Sequence, residues 1–263
     1  MTTGRRPSRL RAGTPAPVTA PAAAGGQPSP AERARTVAAR PTAALHVLGT
    51  GTTAALAAAT TADGRTLVVV PCAGPLLPAL AGSPVGDLPA RLTVTDRAPS
   101  RLRQPTRALV ELAGWVAPVP AADVPDAVLA FADACPCAAL FDVGLTAALL
   151  QLDVAEVVLH ESHAVEHVEP EDFVAAAPDP VTVAEADLLA AESDALARLR
   201  VRVQAWAGRR DDVRLLGLDR FGVRYRVESP RGGYDVRVAF PEPLTRSEEF
   251  ADAVGHLLGC ALD

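Results

Sequence analysis

The sequence contains no lysine and no asparagine, and all 25 of its basic residues are arginine. The absence of lysine excludes a Schiff-base lysine and a P-loop lysine, and the absence of asparagine excludes N-glycosylation. Met1 is the only methionine, so no methionine further along the chain can serve as an axial metal ligand. Aromatic residues make up only 4% of the chain, yet the 49% of hydrophobic residues is enough to fill a core, largely with alanine.

Cysteine is also scarce, with Cys72, Cys135, Cys137 and Cys260 scattered along 263 residues. The positions predict no disulfide framework, and the single residue between Cys135 and Cys137 is not the spacing of a CxxC motif. We therefore expect reduced thiols in a cytoplasmic protein. Long apolar runs are absent as well, so we expect neither a signal peptide nor a membrane span.

Acidic residues are absent from residues 1–29, which hold four arginines among many prolines, alanines and glycines. This composition predicts a disordered tail. The whole sequence has a net charge of −6, so the remainder is acidic and a nucleic-acid partner is not expected. The first helix is predicted to open at Ser29, because Pro30 follows it and Glu32 stands three residues later, as in a capping box.

Residues 30–177 show short alternating segments that predict an antiparallel sheet. Period-two patterns and turn residues predict strands at 43–48, 53–60, 66–70, 91–95 and 107–119. Helices are predicted at 76–80 and 121–134, a mixture of short helix and strand at 145–160, and a last helical turn at 169–177. Residues 178–180 (PDP) then predict a linker.

The clearest pattern lies at residues 213–245. Segments 223–228 and 234–240 each alternate apolar with mainly charged residues, which predicts two half-buried antiparallel strands. The Pro- and Gly-rich residues between them predict a hairpin loop, and 213–218 predicts a third strand before a turn at 219–222. Helices are predicted at 183–208 and from Thr245, whose spacing to Glu248 fits a capping box, to residue 258.

This C-terminal pattern resembles the HugZ-like haem-utilisation proteins, which are pyridoxamine-phosphate-oxidase-like FMN-binding split-barrel proteins. The matching residues are 218–222 (LDRFG), 235–237 (DVR) and above all 240–244 (FPEPL), in a domain of unknown function common in actinobacterial members. Residues 152–158 and 168–173 resemble the end of the barrel. The resemblance implies an α+β fold and a homodimer, with an FMN-binding-type split β-barrel at 30–177 followed by a small α-β-β-β-α domain at 183–262.

The resemblance implies haem or FMN as the ligand and makes three residues candidates for binding it. Relatives hold the FMN phosphate with polar and basic residues of barrel strands, which points to Arg91 and Arg97, although Arg91 also fits a solvent-facing strand. Haem-degrading relatives have an axial histidine near the C-terminus, where His256 stands, although a histidine packed in a helix is the alternative. Residues 187–192 (DLLAAE) replace a His-Met-Asn-x-Asp-His motif, which argues against haem-linked activity.

Histidines and carboxylates cluster at residues 156–167. If 154–160 pairs with 163–168 across a turn at Glu161 and Ser162, His160 faces His163 with Cβ atoms about 5 Å apart, close enough to share a metal ion. His160 and His163 are therefore a candidate metal site. The alternative is a set of surface histidines beside carboxylates, and such neighbours would raise the histidine pKa values.

Charge is divided into two blocks along the chain. Residues 108–197 contain no arginine and 17 acids, whereas residues 198–246 contain 12 arginines and 6 acids. Opposite blocks favour mutual contact, within one protomer or across a dimer. We therefore expect the C-terminal domain to dock on the barrel through Arg224, Arg226 and Arg237.

Two hypotheses of function from different classes remain. The first is a homodimeric, non-catalytic split-barrel protein that binds a small molecule or regulates a partner. The second is a haem- or flavin-dependent oxidoreductase of the haem-utilisation type. The missing lysine, the replaced histidine motif and the few aromatic residues favour the first, while the fold resemblance supports the second only by analogy.

Overall fold

The computed structural model describes residues 26–162, 164–230 and 232–259. The first part of the described chain forms a strand-rich unit. Its elements are α1 (Pro30–Ala38), β1 (Ala43–Val47), β2 (Gly51–Ala54), β3 (Ala57–Thr60), β4 (Thr66–Pro71), α2 (Leu76–Ala81), β5 (Leu88–Arg97), β6 (Thr106–Pro118), α3 (Val124–Ala134), a 3-10 helix (Ala138–Asp142), β7 (Ala147–Glu161), β8 (Ala164–Val168) and α4 (Pro170–Ala175).

The second part of the described chain forms helices around a three-stranded meander. Its elements are α5 (Pro180–Val183), α6 (Glu185–Ala191), α7 (Ser193–Trp206), β9 (Asp212–Asp219), β10 (Gly222–Ser229), β11 (Gly232–Ala239), a 3-10 helix (Ser247–Glu249) and α8 (Phe250–Gly259). Among the helices described, none is both long enough and apolar enough to cross a membrane.

The strand-rich unit is one curled antiparallel sheet with the strand order β2-β1-β5-β6-β7-β4-β3, and β8 pairs with β7. Alternate residues of the strands point inward, as Leu92 and Val94 do on β5 and Val110 and Leu112 do on β6. Helix α1 packs into the same core through Ala34 and Val37. This arrangement confirms the predicted α+β class with a split β-barrel.

The C-terminal sheet has the order β11-β10-β9, as the alternation predicted. Its apolar face packs against α7 and α8, with Val223 and Tyr225 of β10 in a cluster that also holds Leu199 and Phe250. The Tyr225 hydroxyl donates a hydrogen bond to the carbonyl of Leu196 at 3.2 Å, so this buried phenol is satisfied. The charged face of the sheet, which bears the arginines, is turned toward the barrel.

Three predicted elements differ in the structure. The strand predicted at 53–60 divides into β2 and β3, which pair with different neighbours at opposite ends of the sheet. The segment 145–160 contains no helix and forms the long strand β7. The helix predicted at 183–208 divides into α6 and α7, and the short helix α5 lies at the end of the predicted linker, because apolar spacing does not show where one helix ends and the next begins.

Helix capping matches the prediction at one end of the chain and not at the other. Ser29 caps α1, since its hydroxyl accepts a hydrogen bond from the Glu32 amide at 3.2 Å. The capping box predicted for Thr245 and Glu248 is wrong by one residue. The Glu249 carboxylate accepts the Thr245 amide at 2.9 Å and the Thr245 hydroxyl at 3.0 Å, because a 3-10 turn precedes α8.

The Glu249 cap predicts a pH dependence of stability. The hydrogen bond from the Thr245 amide lowers the pKa of Glu249, so the ionised carboxylate stabilises the fold above its unfolded pKa. This stabilisation is lost as pH falls through the lower folded pKa. We expect Glu249→Gln to reduce stability at neutral pH and to flatten its fall toward acidic pH, measured by urea unfolding. Glu248→Gln, at an exposed neighbouring site, is the control.

Two glycines predict opposite effects of the same substitution. A Cβ at Gly114 would lie 1.8 Å from the Asp153 carbonyl oxygen, at the irregularity between β6 and β7. Gly114→Ala should lower the free energy of unfolding by about 3 kcal/mol, because backbone must move. A Cβ at Gly255, on the exposed side of α8, meets nothing. Gly255→Ala should raise the free energy of unfolding by about 0.5–1 kcal/mol. If chemical unfolding showed the same change in the free energy of unfolding for both variants, these two predictions would be contradicted.

Candidate functional site

The main cavity of the described chain, of about 1220 Å³, lies between the barrel and the charged face of the C-terminal sheet. It continues around the edge strand β11, whose residues from both faces line it. Its wall combines charged and apolar side chains. Lining residues include Arg33, Val37, Asp96, Arg107, Glu161, Asp179, Leu218, Asp219, Arg224, Asp235, Val236 and Arg237.

A buried ion network joins the barrel to the C-terminal domain at one side of this cavity. Arg107 of β6 donates two hydrogen bonds to the carboxylate of Glu185, at 2.8 and 2.9 Å. The same guanidinium donates to Asp96 at 2.8 Å and to the carbonyl of Leu216 at 3.0 Å. Arg40 lies 2.9 Å from Asp96 and 3.1 Å from Glu185. Each charge therefore has partners from more than one element.

The ion network favours the protonated, charged form of Arg107. Burial acts to lower the pKa of Arg107, but the hydrogen bonds and charges of Glu185 and Asp96 outweigh it and raise that pKa. Glu185 also accepts the backbone amide of Leu218 at 2.9 Å, which connects α6 to β9. Gly217 makes room for the guanidinium, because a Cβ there would lie 2.0 Å from a terminal nitrogen of Arg107.

Asp179 makes a second connection beside the cavity. Its carboxylate accepts the amides of Val181 and Thr182 at 3.0 and 2.9 Å, which caps α5, and the amide of Arg220 at 3.0 Å. Its own amide donates to the hydroxyl of Thr36 on α1 at 2.8 Å. The segment predicted as a linker is therefore tied to the barrel helix and to the turn after β9.

A row of residues crosses the cavity-facing side of the C-terminal sheet. Arg224 of β10 lies directly opposite Gly217 of β9 and Arg237 of β11. Arg237 donates to Asp219 at 2.6 Å and to the Gly26 carbonyl at 2.7 Å. Burial lowers the pKa of Arg237, and the charges of Arg224 and Arg33 act in the same direction. Arg224 and Arg237 therefore place two positive charges side by side on this wall, next to Gly217 and the Arg107 guanidinium.

The acids on this wall are held by partners of their own. Burial raises the pKa of Asp219 above its ordinary value, while the charges of Arg237 and Arg224 act against that rise. Asp235 accepts hydrogen bonds from Arg226, one of them at 3.0 Å.

The structure corrects the expected mode of docking. No ion pair of the described residues joins an acid of 108–197 to an arginine of 198–246; the units are joined instead by Arg107 of the barrel with Glu185 and by Arg220 with Glu32 of α1. Of the three expected arginines, Arg226 reaches Ser162 of the barrel at 3.5 Å and Arg237 reaches only Gly26. Charge counts along a chain do not reveal which residues the strands bring together.

The expected register of the histidine hairpin is also wrong. His160 lies opposite Val165, and Val158 lies opposite His167, so the pairing is displaced by two residues. His160 lies 3.6 Å from Glu111, which stands on the outer face of β6. His163 lies outside the described residues, and no group of three or more metal-ligating side chains occurs within them. The metal site at His160 and His163 stays a prediction.

The three candidate cofactor residues do not come together, and none lines the main cavity. Arg91 is exposed on the outer face of β5, 3.5 Å from Glu111. Arg97 is exposed at the end of the same strand, opposite Thr106. His256 is exposed on α8 and lines a separate, shallower pocket of about 520 Å³ beside residues 240–245.

Sequence reasoning missed the residues of the ion network, although one signal was present. Asp96 continues the alternation of Leu92 and Val94 and therefore falls on the buried face of β5. A carboxylate on that face requires a buried partner. Nothing local marks Glu185 or Arg107 as that partner, because they come together only through the docking of the two units.

No protein-family model matches the chain, and no curated protein matches it significantly. Among solved structures, a haem-binding protein from Mycobacterium smegmatis is similar at 24% identity and a TM-score of 0.58, over 89% of this chain and 98% of that one. A protein of unknown function from Agrobacterium tumefaciens is similar at 20% identity and a TM-score of 0.43, over 92% and 100%. An FAD- and haem-binding protein from M. smegmatis is similar at 18% identity and 0.36, over 57% and 78%. The first likeness establishes a shared fold.

The ion network predicts a large effect of a single neutralisation. Glu185→Gln leaves Arg107 buried without its main counter-charge, so the free energy of unfolding should fall by about 3–5 kcal/mol. Asp187→Asn, at an exposed site on the same helix, should change it by no more than about 0.5 kcal/mol. Urea unfolding of both variants measures the difference. Similar small changes would show that the network contributes little.

Proposed function

We propose that this chain is a non-catalytic split-barrel protein that binds a small molecule in the cavity between the barrel and the C-terminal sheet. The observation that carries the proposal is the cavity itself. Its volume of about 1220 Å³ exceeds the roughly 300–1,000 Å³ of typical small-molecule sites and is ample for one such ligand, and its wall combines apolar with charged side chains. The rigid ion network beside it fits a largely pre-formed site.

The lining residues decide how well each expected ligand fits. Histidine, cysteine, tyrosine and methionine, the side chains that bind a haem iron axially, are absent from the described lining of this cavity. Arginines are present, and a guanidinium can bind the phosphate of FMN or a carboxylate through paired hydrogen bonds. The cavity therefore fits a molecule with an anionic group better than it fits an iron-ligated haem. Among its described lining residues there is no serine or cysteine, and the two threonines, Thr36 and Thr182, donate or accept structural hydrogen bonds, which fits binding without catalysis.

A haem- or flavin-dependent oxidoreductase is the second candidate function. His256 borders the pocket of about 520 Å³, where Phe240 supplies an aromatic ring. This is a histidine near the C-terminus in a pocket lined by both apolar residues and the carboxylates of Glu242, Glu249 and Asp252, and a histidine is a common axial ligand of haem iron. The similar M. smegmatis structure is that of a haem-binding protein, which supports haem as a ligand to test.

Homodimerisation and a cytoplasmic location complete the proposal. The outer face of the barrel sheet exposes Trp115 and Val165 beside the ion pair of Arg91 and Glu111. Exposed apolar side chains on both sides of a charged pair are suited to contact with a second copy of the chain.

The test is an absorbance titration of the purified protein with haem and separately with FMN. We expect a saturable change in absorbance with at least one of the two ligands, and we expect the His256→Ala variant to show the same change. Ala239→Trp, which narrows the main cavity at the end of β11, should abolish it. Circular dichroism of each variant checks that the fold is intact.

The reverse result supports the alternative function. A Soret shift that is lost in His256→Ala and kept in Ala239→Trp would place haem at the C-terminal pocket and contradict the proposed cavity site. The absence of a saturable change with either molecule would exclude both as ligands.

A further inference from the structure

Two like charges stand directly opposite each other on the wall of the cavity. Arg224 and Arg237 are paired across β10 and β11, which places their Cβ atoms about 5 Å apart. Such a pair is unfavourable unless negative charge lies close by. Arg33 lines the same cavity and adds to the positive charge acting on Arg237.

The carboxylates of the cavity wall are already engaged. Each accepts hydrogen bonds from an arginine, from backbone amides, or from both. The contacts are Asp96 with Arg107, Glu161 with Arg33, Asp179 with the amides of Val181, Thr182 and Arg220, Asp219 with Arg237, and Asp235 with Arg226.

Arg224 differs from the other arginines of this wall. Within residues 26–162, 164–230 and 232–259 it makes no hydrogen bond and no ion pair, although its side chain is only partly exposed. Arg33 and Arg237 are each paired with a carboxylate. A guanidinium has five donors, and those of Arg224 have no protein acceptor in the described chain, so they are open to an anion that enters the cavity. Asp219 lies close enough for the charges to interact, but its oxygens are taken by Arg237 and by the Phe221 amide.

We propose that Arg224, flanked by Arg237 and Arg33, forms an oxyanion-binding site that holds the carboxylate or phosphate group of the cavity's ligand. A guanidinium matches the planar pair of oxygens that both groups present. The bound anion would also relieve the repulsion between Arg224 and Arg237. This inference rests on the proposed cavity ligand and names its charged group.

The site is tested without haem or FMN, using inorganic phosphate and, separately, succinate as probes. Ionic strength is held constant with chloride, and binding is followed by calorimetry and by the thermal unfolding midpoint. Saturating phosphate or succinate should raise the midpoint of the natural protein by about 2–4 °C. Arg224→Gln should weaken binding by about tenfold or more, because one charge-assisted contact is lost.

Two further variants separate a lost contact from a lost fold. Arg209→Gln removes an exposed arginine of the same domain and should bind the probes as the natural protein does. Without an added oxyanion, Arg224→Gln should unfold at the same temperature as the natural protein or higher, since it removes a like-charge pair. Arg224→Lys should retain part of the binding.

The outcomes are distinct. Equal binding by Arg224→Gln and Arg209→Gln, or no midpoint shift in the natural protein beyond that of chloride, would overturn the site. If phosphate raises the thermal unfolding midpoint more than succinate does, the ligand's charged group is assigned as a phosphate. The opposite order assigns it as a carboxylate. Oxyanion binding that depends on Arg224 alongside a failed haem and FMN titration supports the site and excludes only those two ligands.

Discussion

The arrangement of the two units depends on the bidentate ion pair in which the Arg107 guanidinium donates two hydrogen bonds to the Glu185 carboxylate. Both groups are buried, so their removal from water is costly and is offset because both make further hydrogen bonds, Arg107 to Asp96 and the Leu216 carbonyl and Glu185 to the Leu218 amide. Arg40 and Asp96 extend the network into the barrel, and the Leu218 amide extends it into the C-terminal sheet. A network with so many geometric requirements fixes one relative position of the units, and thereby the width of the cavity beside it.

The sequence predicted the elements better than their connections. Alternation alone located the three-stranded meander, because one face of that sheet packs on helices and the other carries charges. The same reasoning failed at β7, where a long strand buried on both sides over much of its length loses its alternation. The β7–β8 register was displaced by two residues, since the turn lacks the glycine or asparagine that would have fixed it.

The candidate site was predicted only in part, and the reason is physical. Arg224 and Arg237 stood out as charges at alternate positions, but a charged face of a sheet reads as solvent-facing in a sequence. This face of the C-terminal sheet becomes partly buried only because the domain docks on the barrel, where Arg107 pairs with Glu185. The residues chosen by family resemblance, Arg91, Arg97 and His256, lie elsewhere on the surface, since a resemblance transfers positions and not the contacts that a particular chain makes.

The charged groups of the cavity wall differ in a way that bears on function. In the ion network each charged side chain has a counter-charge, as Arg107 has in Glu185 and Asp96. Arg224, next to that network, instead faces Arg237 and has no acceptor of its own in the described chain. Selection for stability alone would favour a neutral residue at such a position, because the repulsion between two like charges opposes folding. A partly buried, unmatched guanidinium beside a rigid, matched network is therefore better explained by an anion that enters the cavity than by the fold itself.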